Sequence, residues 1–241
     1  MHTVILCRGN DFLMKIAVTR LAGKEGSDAA RCSHYGHTCY SVHPLRSRVD
    51  QSAVTAFVEA VDRGEFDCLF FTSALPAQII APLLNRFPRV IAIGPQTAKA
   101  LRHVEIDCET LPGFYSRDFV PYLGSWITGK HIGIPRADVP NNVLLETIVA
   151  AGGIAHEFRC YSLEPTGYVL PIKDADAVLF TSTMSFSKAV WTPHPDQLIM
   201  AIGEVTAGVM RNAGVSPAVV GDGSLEGTLA ALNLYLEKKR H

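Results

Sequence analysis

The stretch Phe66-Asp67-Cys68-Leu69-Phe70-Phe71-Thr72-Ser73 has a second version later in the chain, Ala175-Asp176-Ala177-Val178-Leu179-Phe180-Thr181-Ser182. Each version is an aspartate, a short apolar run and a Phe-Thr-Ser ending. Further on, Val90-Ile91-Ala92-Ile93-Gly94-Pro95-Gln96-Thr97-Ala98 matches Ile199-Met200-Ala201-Ile202-Gly203-Glu204-Val205-Thr206-Ala207 at the same separation. No gap intervenes between the matched blocks, so the chain contains two related halves. A weaker echo pairs Lys15-Ile16-Ala17-Val18-Thr19-Arg20 with His131-Ile132-Gly133-Ile134-Pro135-Arg136.

The repeated runs read as buried strands of a parallel sheet, being short, apolar and rich in β-branched or aromatic residues. Strands are expected at 15–19, 38–43, 68–72, 90–93, 131–134, 155–161, 177–181 and 198–202. Helical patterns lie between them. Asp50 or Ser52 caps a helix to about Arg63, Ser116 caps 117–126, and Pro140 opens 141–151, which Gly152-Gly153 ends. Pro82 kinks or breaks a helix over 76–86. Ser224 caps a final helix with the apolar face Leu225, Leu229, Leu232 and Leu236.

This alternation predicts an α/β fold of two similar doubly wound parallel-sheet domains, flavodoxin-like, with a cleft between them. The first strands are expected to join the C-terminal half. Domain one is then discontinuous, 14–45 plus 163–241, and domain two spans 48–160. Segments 40–48 and 157–165 serve as the two linkers. Residues 1–13 precede a second methionine, Met14, as an N-terminal extension.

Composition narrows the function. Of 241 residues, 48% are hydrophobic and 19% charged, enough apolar material for two small cores, and the formal net charge is −1. A nucleic-acid partner calls for a more basic chain. No apolar run reaches the length of a membrane span, and the N-terminal run Val4–Cys7 is too short for a signal peptide. The chain reads as cytoplasmic. Its cysteines, Cys7, Cys32, Cys39, Cys68, Cys108 and Cys160, contain no CxxC pair and read as free thiols.

In an open parallel sheet, ligands bind outside the carboxyl ends of the strands. Those ends are Arg20, Thr72-Ser73, Gly94, Arg136, Thr181-Ser182 and Gly203. Four lead into helix starts, whose unpaired N–H groups and dipole favour anions. Such edges suit a ligand with carboxylates spread along its length. The alternative for Thr72, Ser73, Thr181 and Ser182 is plain N-capping. Thr97 and Thr206 could instead satisfy local backbone groups.

These motifs in this order resemble the uroporphyrinogen-III synthase family over nearly the whole chain after Met14. The carriers are Val18-Thr19-Arg20, two Phe-Thr-Ser strand ends each followed by Ile-Gly-x-x-Thr-Ala, Pro135-Arg136, and a strand ending in Tyr161. The resemblance implies hydroxymethylbilane as substrate, with eight carboxylates, and no metal or organic cofactor. The implied reaction removes water, inverts the last pyrrole ring through a spiro intermediate and closes the macrocycle. It is control by positioning, in keeping with a sequence that shows no carboxylate dyad or nucleophile–base signature.

Tyr161 matches the tyrosine held to help the hydroxyl leave; otherwise it is a packing aromatic. The implied substrate-binding set is Arg20, Thr72, Ser73, Gly94, Thr97, Arg136, Thr181, Ser182, Gly203 and Thr206. Arg20 and Arg136 are carboxylate candidates, with ion pairing within the protein as the alternative. A monomer is expected.

The sequence departs from the family pattern at Leu21, Leu75, Met184, Asn141 and Asn142. Those at Leu75, Met184, Asn141 and Asn142 favour a competing reading, a non-catalytic two-domain module that binds an anion or tetrapyrrole. The segment Cys32-Ser33-His34-Tyr35-Gly36-His37-Thr38-Cys39 offers zinc-type ligands, with His43 nearby. It reads as a helix end, a turn and a new strand, which scatters them, so no metal site is expected. Nothing matches a dinucleotide or Walker motif, and Lys238-Lys239-Arg240 reads as a solvated helix end.

Overall fold

The computed structural model describes residues 13–22, 26–139 and 141–239. The expected extension up to residue 12, Cys7, Pro140 and Arg240 lie outside them. In chain order the first elements are β1 (Lys15–Thr19), α1 (Asp28–His34), β2 (Thr38–Val42), β3 (Leu45–Val49), α2 (Gln51–Asp62), β4 (Cys68–Phe71) and α3 (Ala74–Ile80). Next come β5 (Arg89–Ala92), α4 (Pro95–Arg102), β6 (Glu109–Thr110), α5 (Phe119–Leu123), β7 (His131–Ala137) and α6 (Asn142–Ala150). The last are β8 (Ile154–Pro165), β9 (Ala177–Phe180), α7 (Thr183–Ser187), β10 (Leu198–Ala201), α8 (Glu204–Asn212), β11 (Val219–Val220) and α9 (Leu225–Lys238).

The chain divides into two compact units. One ends at Arg46 and resumes at Glu164; the other is Ser47–Leu163. The first unit holds the sheet β11-β10-β9-β1-β2, parallel throughout. Its central strands β1 and β9 are apolar on both faces because helices cover both. Successive residues alternate between two cores. Ala17, Val178 and Phe180 enter one, and Ile16, Val18, Ala177 and Leu179 the other.

The second unit is built on β8-β7-β4-β5-β6, again parallel, with β3 beside β8 at the edge of that sheet. Leu69 and Phe71 face the core under α2, while Cys68 and Phe70 face the other. The α2 helix supplies Val54, Phe57, Ala60 and Val61 at helical spacing. Its cap is Asp50, whose Oδ1 accepts from the Ala53 N–H at 3.0 Å, so Asp50 and not Ser52 begins it.

The repeated aspartates do the same work in both sheets. The Asp67 carboxylate accepts from the His131 N–H at 2.9 Å and from Lys130 Nζ at 3.0 Å. The Asp176 carboxylate accepts from the Lys15 N–H at 2.7 Å. Each aspartate therefore pins the start of the neighbouring strand, β7 in one sheet and β1 in the other.

Several local expectations are corrected. The continuous helix over 117–126 is broken: 3-10 turns at Ser116–Asp118 and Gly124–Ile127 flank the five-residue α5. Pro121 removes a donor inside it, and Gly124 leaves the helix at φ 56°. Nor does Ser116 cap it; the Tyr115 N–H donates to Asp118 Oδ2 instead, at 3.4 Å. The helix over 76–86 is broken at Pro82 as expected, but it starts earlier, at Ala74, and gives way at Ile80 to a 3-10 turn holding the proline. Strands β3, β6 and β11 were not foreseen, and β8 runs to Pro165. By contrast, Ser224 caps α9, whose Leu225, Leu229 and Leu232 are buried. No helix among the described residues is long and apolar enough to cross a membrane.

Candidate active site

In the second unit, β8, β7, β4 and β5 lie side by side, and Tyr161 within β8 is level with the end of β7 after Arg136, with Thr72-Ser73 following β4 and Gly94 following β5. The β7–β8 register slips there: Arg136 faces Arg159 but Ala137 faces Tyr161, leaving Cys160 as the extra residue of a bulge. Two main-chain bonds hold the bulge. The Asp50 N–H donates to Cys160 O at 2.9 Å and the Asp138 N–H to Tyr161 O at 2.6 Å. Tyr161 is buried, 8% exposed, and its Oη lies 3.3 Å from Ser73 Oγ. Burial pushes the Cys160 thiol up to about 12, so it is protonated and unreactive beside the tyrosine.

Tyr161 also lines a cavity of about 470 Å³ with Arg48, Asp50, Asp138 and Arg159. Two of its charges, Arg159 and Asp138, pair with each other. Arg159 donates to Asp138 Oδ1 at 3.0 Å and to Glu157 Oε2 at 3.1 Å. Sequence reasoning missed Arg48, Asp138 and Arg159. No sequence signal ties Arg159 to Tyr161, because the bulge at Cys160 interrupts the two-residue period of β8 between them.

The corresponding edge of the first unit carries Arg20, Thr181-Ser182 and Gly203. There the hydroxyls are committed to the fold. The Thr181 N–H donates to Thr19 Oγ1 at 2.9 Å, and Thr181 Oγ1 donates to Thr19 O at 2.5 Å. Ser182 Oγ accepts from the Ser185 N–H at 3.0 Å, capping α7, and meets Ser185 Oγ at 2.7 Å. Ser73, the counterpart of Ser182, makes no cap bond to α3. The counterpart of Thr19 is Pro135, which has no hydroxyl to clasp Thr72.

Gly94 and Gly203 precede α4 and α8 in extended backbone. Space at Gly203 is tight, since a side chain there would lie 3.2 Å from the Gly223 backbone nitrogen. Thr97 and Thr206 are buried inside their helices. Both arginines are ion-paired within their own units. Arg20 binds Asp28 through Nε at 2.6 Å and Nη2 at 3.2 Å. Arg136, itself buried, donates to Glu157 Oε1 at 2.9 Å and to Val139 O. The structure thus brings Tyr161 and Ser73 together, while Arg20 and Arg136 each face a carboxylate of the protein.

Among the described residues no group of three or more His, Cys, Asp or Glu is placed to hold a metal ion. His37 is occupied at both nitrogens: Nδ1 accepts from the Met14 N–H at 3.3 Å, which leaves Nε2 to donate to Asn233 Oδ1 at 2.9 Å. Cys32 is buried in the core with α9.

The fold is similar to that of uroporphyrinogen-III synthetase from Helicobacter pylori 26695. The TM-score is 0.60 at 15% identity, over 92% of this chain and 100% of that one. A mutant uroporphyrinogen III synthase from the extremely thermophilic bacterium Thermus thermophilus gives a TM-score of 0.55, also at 15% identity. That likeness covers 93% of this chain and 99% of the other. No curated protein sequence matches the chain. The family model for uroporphyrinogen-III synthase HemD matches residues 28–224. That match takes in every strand of both sheets except β1 and every strand end described above except Arg20, and the chain belongs to the uroporphyrinogen-III synthase family.

Proposed function

We propose that this uroporphyrinogen-III synthase cyclises hydroxymethylbilane to uroporphyrinogen III with inversion of the last ring and loss of water, and that Tyr161 assists departure of the hydroxyl. The observation that carries the role of Tyr161 is its placement. A bulge anchored by two main-chain bonds turns its hydroxyl to Ser73 and its ring to a cavity of about 470 Å³. The hydroxyl leaves as water when it takes a proton, and a phenol hydrogen bond stabilises the charge that develops on it. The azafulvene left behind is reactive enough that strong acid or base is not needed, and the remaining task is to hold the chain so that the inverted ring attacks.

In this reading the two units are flavodoxin-like domains, 14–45 plus 163–241 and 48–160, joined by linkers at 40–48 and 157–165. The backbone amides after Thr72-Ser73, Gly94, Thr181-Ser182 and Gly203 receive substrate carboxylates. Support comes from the repetition of strand end and helix start in both sheets. Thr97 and Thr206 shape those helices from inside. Arg20 and Arg136 act through their ion pairs with Asp28 and Glu157, steadying the same edges. The enzyme works as a cytoplasmic monomer.

An isomer assay tests the function. Freshly made hydroxymethylbilane is mixed with the protein, and the oxidised uroporphyrins are separated by chromatography. Unaided, the bilane closes to isomer I. A dose-dependent shift to isomer III is the expected result, and isomer I alone from folded protein would favour the non-catalytic module.

A further inference from the structure

We infer that Ser73 is a positioning residue for Tyr161, its hydroxyl released from helix capping to hold the phenol in place. The proposal rests on the reading of Tyr161 as the group that touches the reacting hydroxyl. Its basis is a contrast between two serines related by the internal repeat. Ser182 follows the usual chemistry of its position, accepting from the Ser185 N–H at 3.0 Å to cap α7. Ser73 occupies the same position before α3, with the same extended backbone, φ −163° against −161°. Its hydroxyl nevertheless makes no cap bond and stands 3.3 Å from Tyr161 Oη, a residue 88 positions away.

The tyrosine is held from its other side by the backbone. The bulge at Cys160 and the bonds from Asp50 and Asp138 fix its main chain. Burial confines the ring, and a hydroxyl partner at the tip fixes the direction of its O–H bond. A phenol has one proton. With Ser73 donating to Tyr161 Oη, that proton stays available for the leaving hydroxyl; with the roles reversed, it points away from it. Ser73 therefore sets both the direction of the phenol and the use of its proton. The forgone cap on α3 is the structural counterpart of that role.

A double-mutant cycle on the full chain decides it, with kcat and KM read from isomer III formation and fold checked by circular dichroism. Ser73→Ala is expected to lower kcat about three- to tenfold with KM unchanged, the size of one lost hydrogen bond. Ser73→Thr keeps the hydroxyl and should restore turnover. In the Tyr161→Phe background, Ser73→Ala should add no further loss, because its partner is gone. If Ser73→Ala does not fold, Ser73→Cys, a much weaker hydrogen-bonding group, takes its place.

An equal loss in both backgrounds, or a rise in KM alone, would overturn the proposal and place Ser73 on the substrate. Slow Tyr161→Phe with unaffected Ser73→Ala would reject the positioning role while leaving the tyrosine reading intact. Full turnover in Tyr161→Phe would remove the tyrosine reading, and the positioning role with it.

Discussion

Tyr161 sits where one extra residue, Cys160, enters a strand pair, and bulges of this kind re-aim side chains. Its ring is buried and its hydroxyl reaches Ser73, so removing the oxygen alone leaves the packing in place. Tyr161→Phe is expected to slow isomer III formation about ten- to a hundredfold while the thermal midpoint stays within a degree or two of wild type. Steady-state kinetics and a melting curve on the same preparation check both halves. At this scale the sequence was only partly legible. Tyr161 and Ser73 could be named from motif order, but the contact between them joins two strands that are not neighbours in the sheet. The partners of the arginines were hidden for a similar reason. Asp28 reaches Arg20 across a loop, and Glu157 reaches Arg136 only through the register of β7 and β8.

Among the elements, the two serine-led helices differ in what holds their first turn. Because Ser182 caps α7 and Ser73 does not cap α3, Ser182→Ala should lower stability by about 1 kcal/mol. Ser73→Ala loses no cap, only the long 3.3 Å contact with Tyr161 Oη, so it should cost less, and urea unfolding of the two variants makes the comparison. The β7–β8 pair carries a pH signature. His131 Nδ1 and His156 Nε2 meet at 2.9 Å between stacked rings, beside Phe66. Burial first, and then the neighbouring His131, lower His156 below its ordinary 6.5. The unfolded chain then binds the proton at a higher pH than the folded one, so the stability it contributes is present above about 6.5 and lost as pH falls through the lowered value. The urea midpoint should fall between pH 7 and pH 5, and His156→Gln should flatten that slope. Long apolar strands and the capped helices α2 and α9 were readable because periodicity and cap residues are local. The two-residue strands β6 and β11 have no period to detect. The helix around α5 is broken because Pro121 and Gly124 interrupt it, although Ser116 looks like a cap for a longer one.

For the whole molecule, the repeat explains the architecture more fully than any single motif. Matching strands β4 with β9, β5 with β10 and β7 with β1 gives both sheets one spatial order: β8-β7-β4-β5-β6 in one and β2-β1-β9-β10-β11 in the other. The two differ in where the chain enters. In the second unit the pair β7 and β8 comes last, whereas in the first the equivalent pair β1 and β2 comes first. The second unit is continuous, Ser47–Leu163, and contains two cores of its own. A protein of residues 47–163 alone should therefore fold cooperatively, with a single urea transition and dispersed amide resonances. A molten, undispersed spectrum would count against that.

The order of those strands also governs how the chain is made. Strands β1 and β2 leave the ribosome early, yet the other partner of β1, β9, begins only at Ala177. At bacterial or eukaryotic elongation rates the open edge of Ile16, Ala17 and Val18 waits roughly 7–27 s after Val42 is added. An unpaired apolar edge is a template for wrong pairing over that interval. The inserted unit sets its length, so a nascent chain of this design needs shielding for as long as its neighbour takes to be translated.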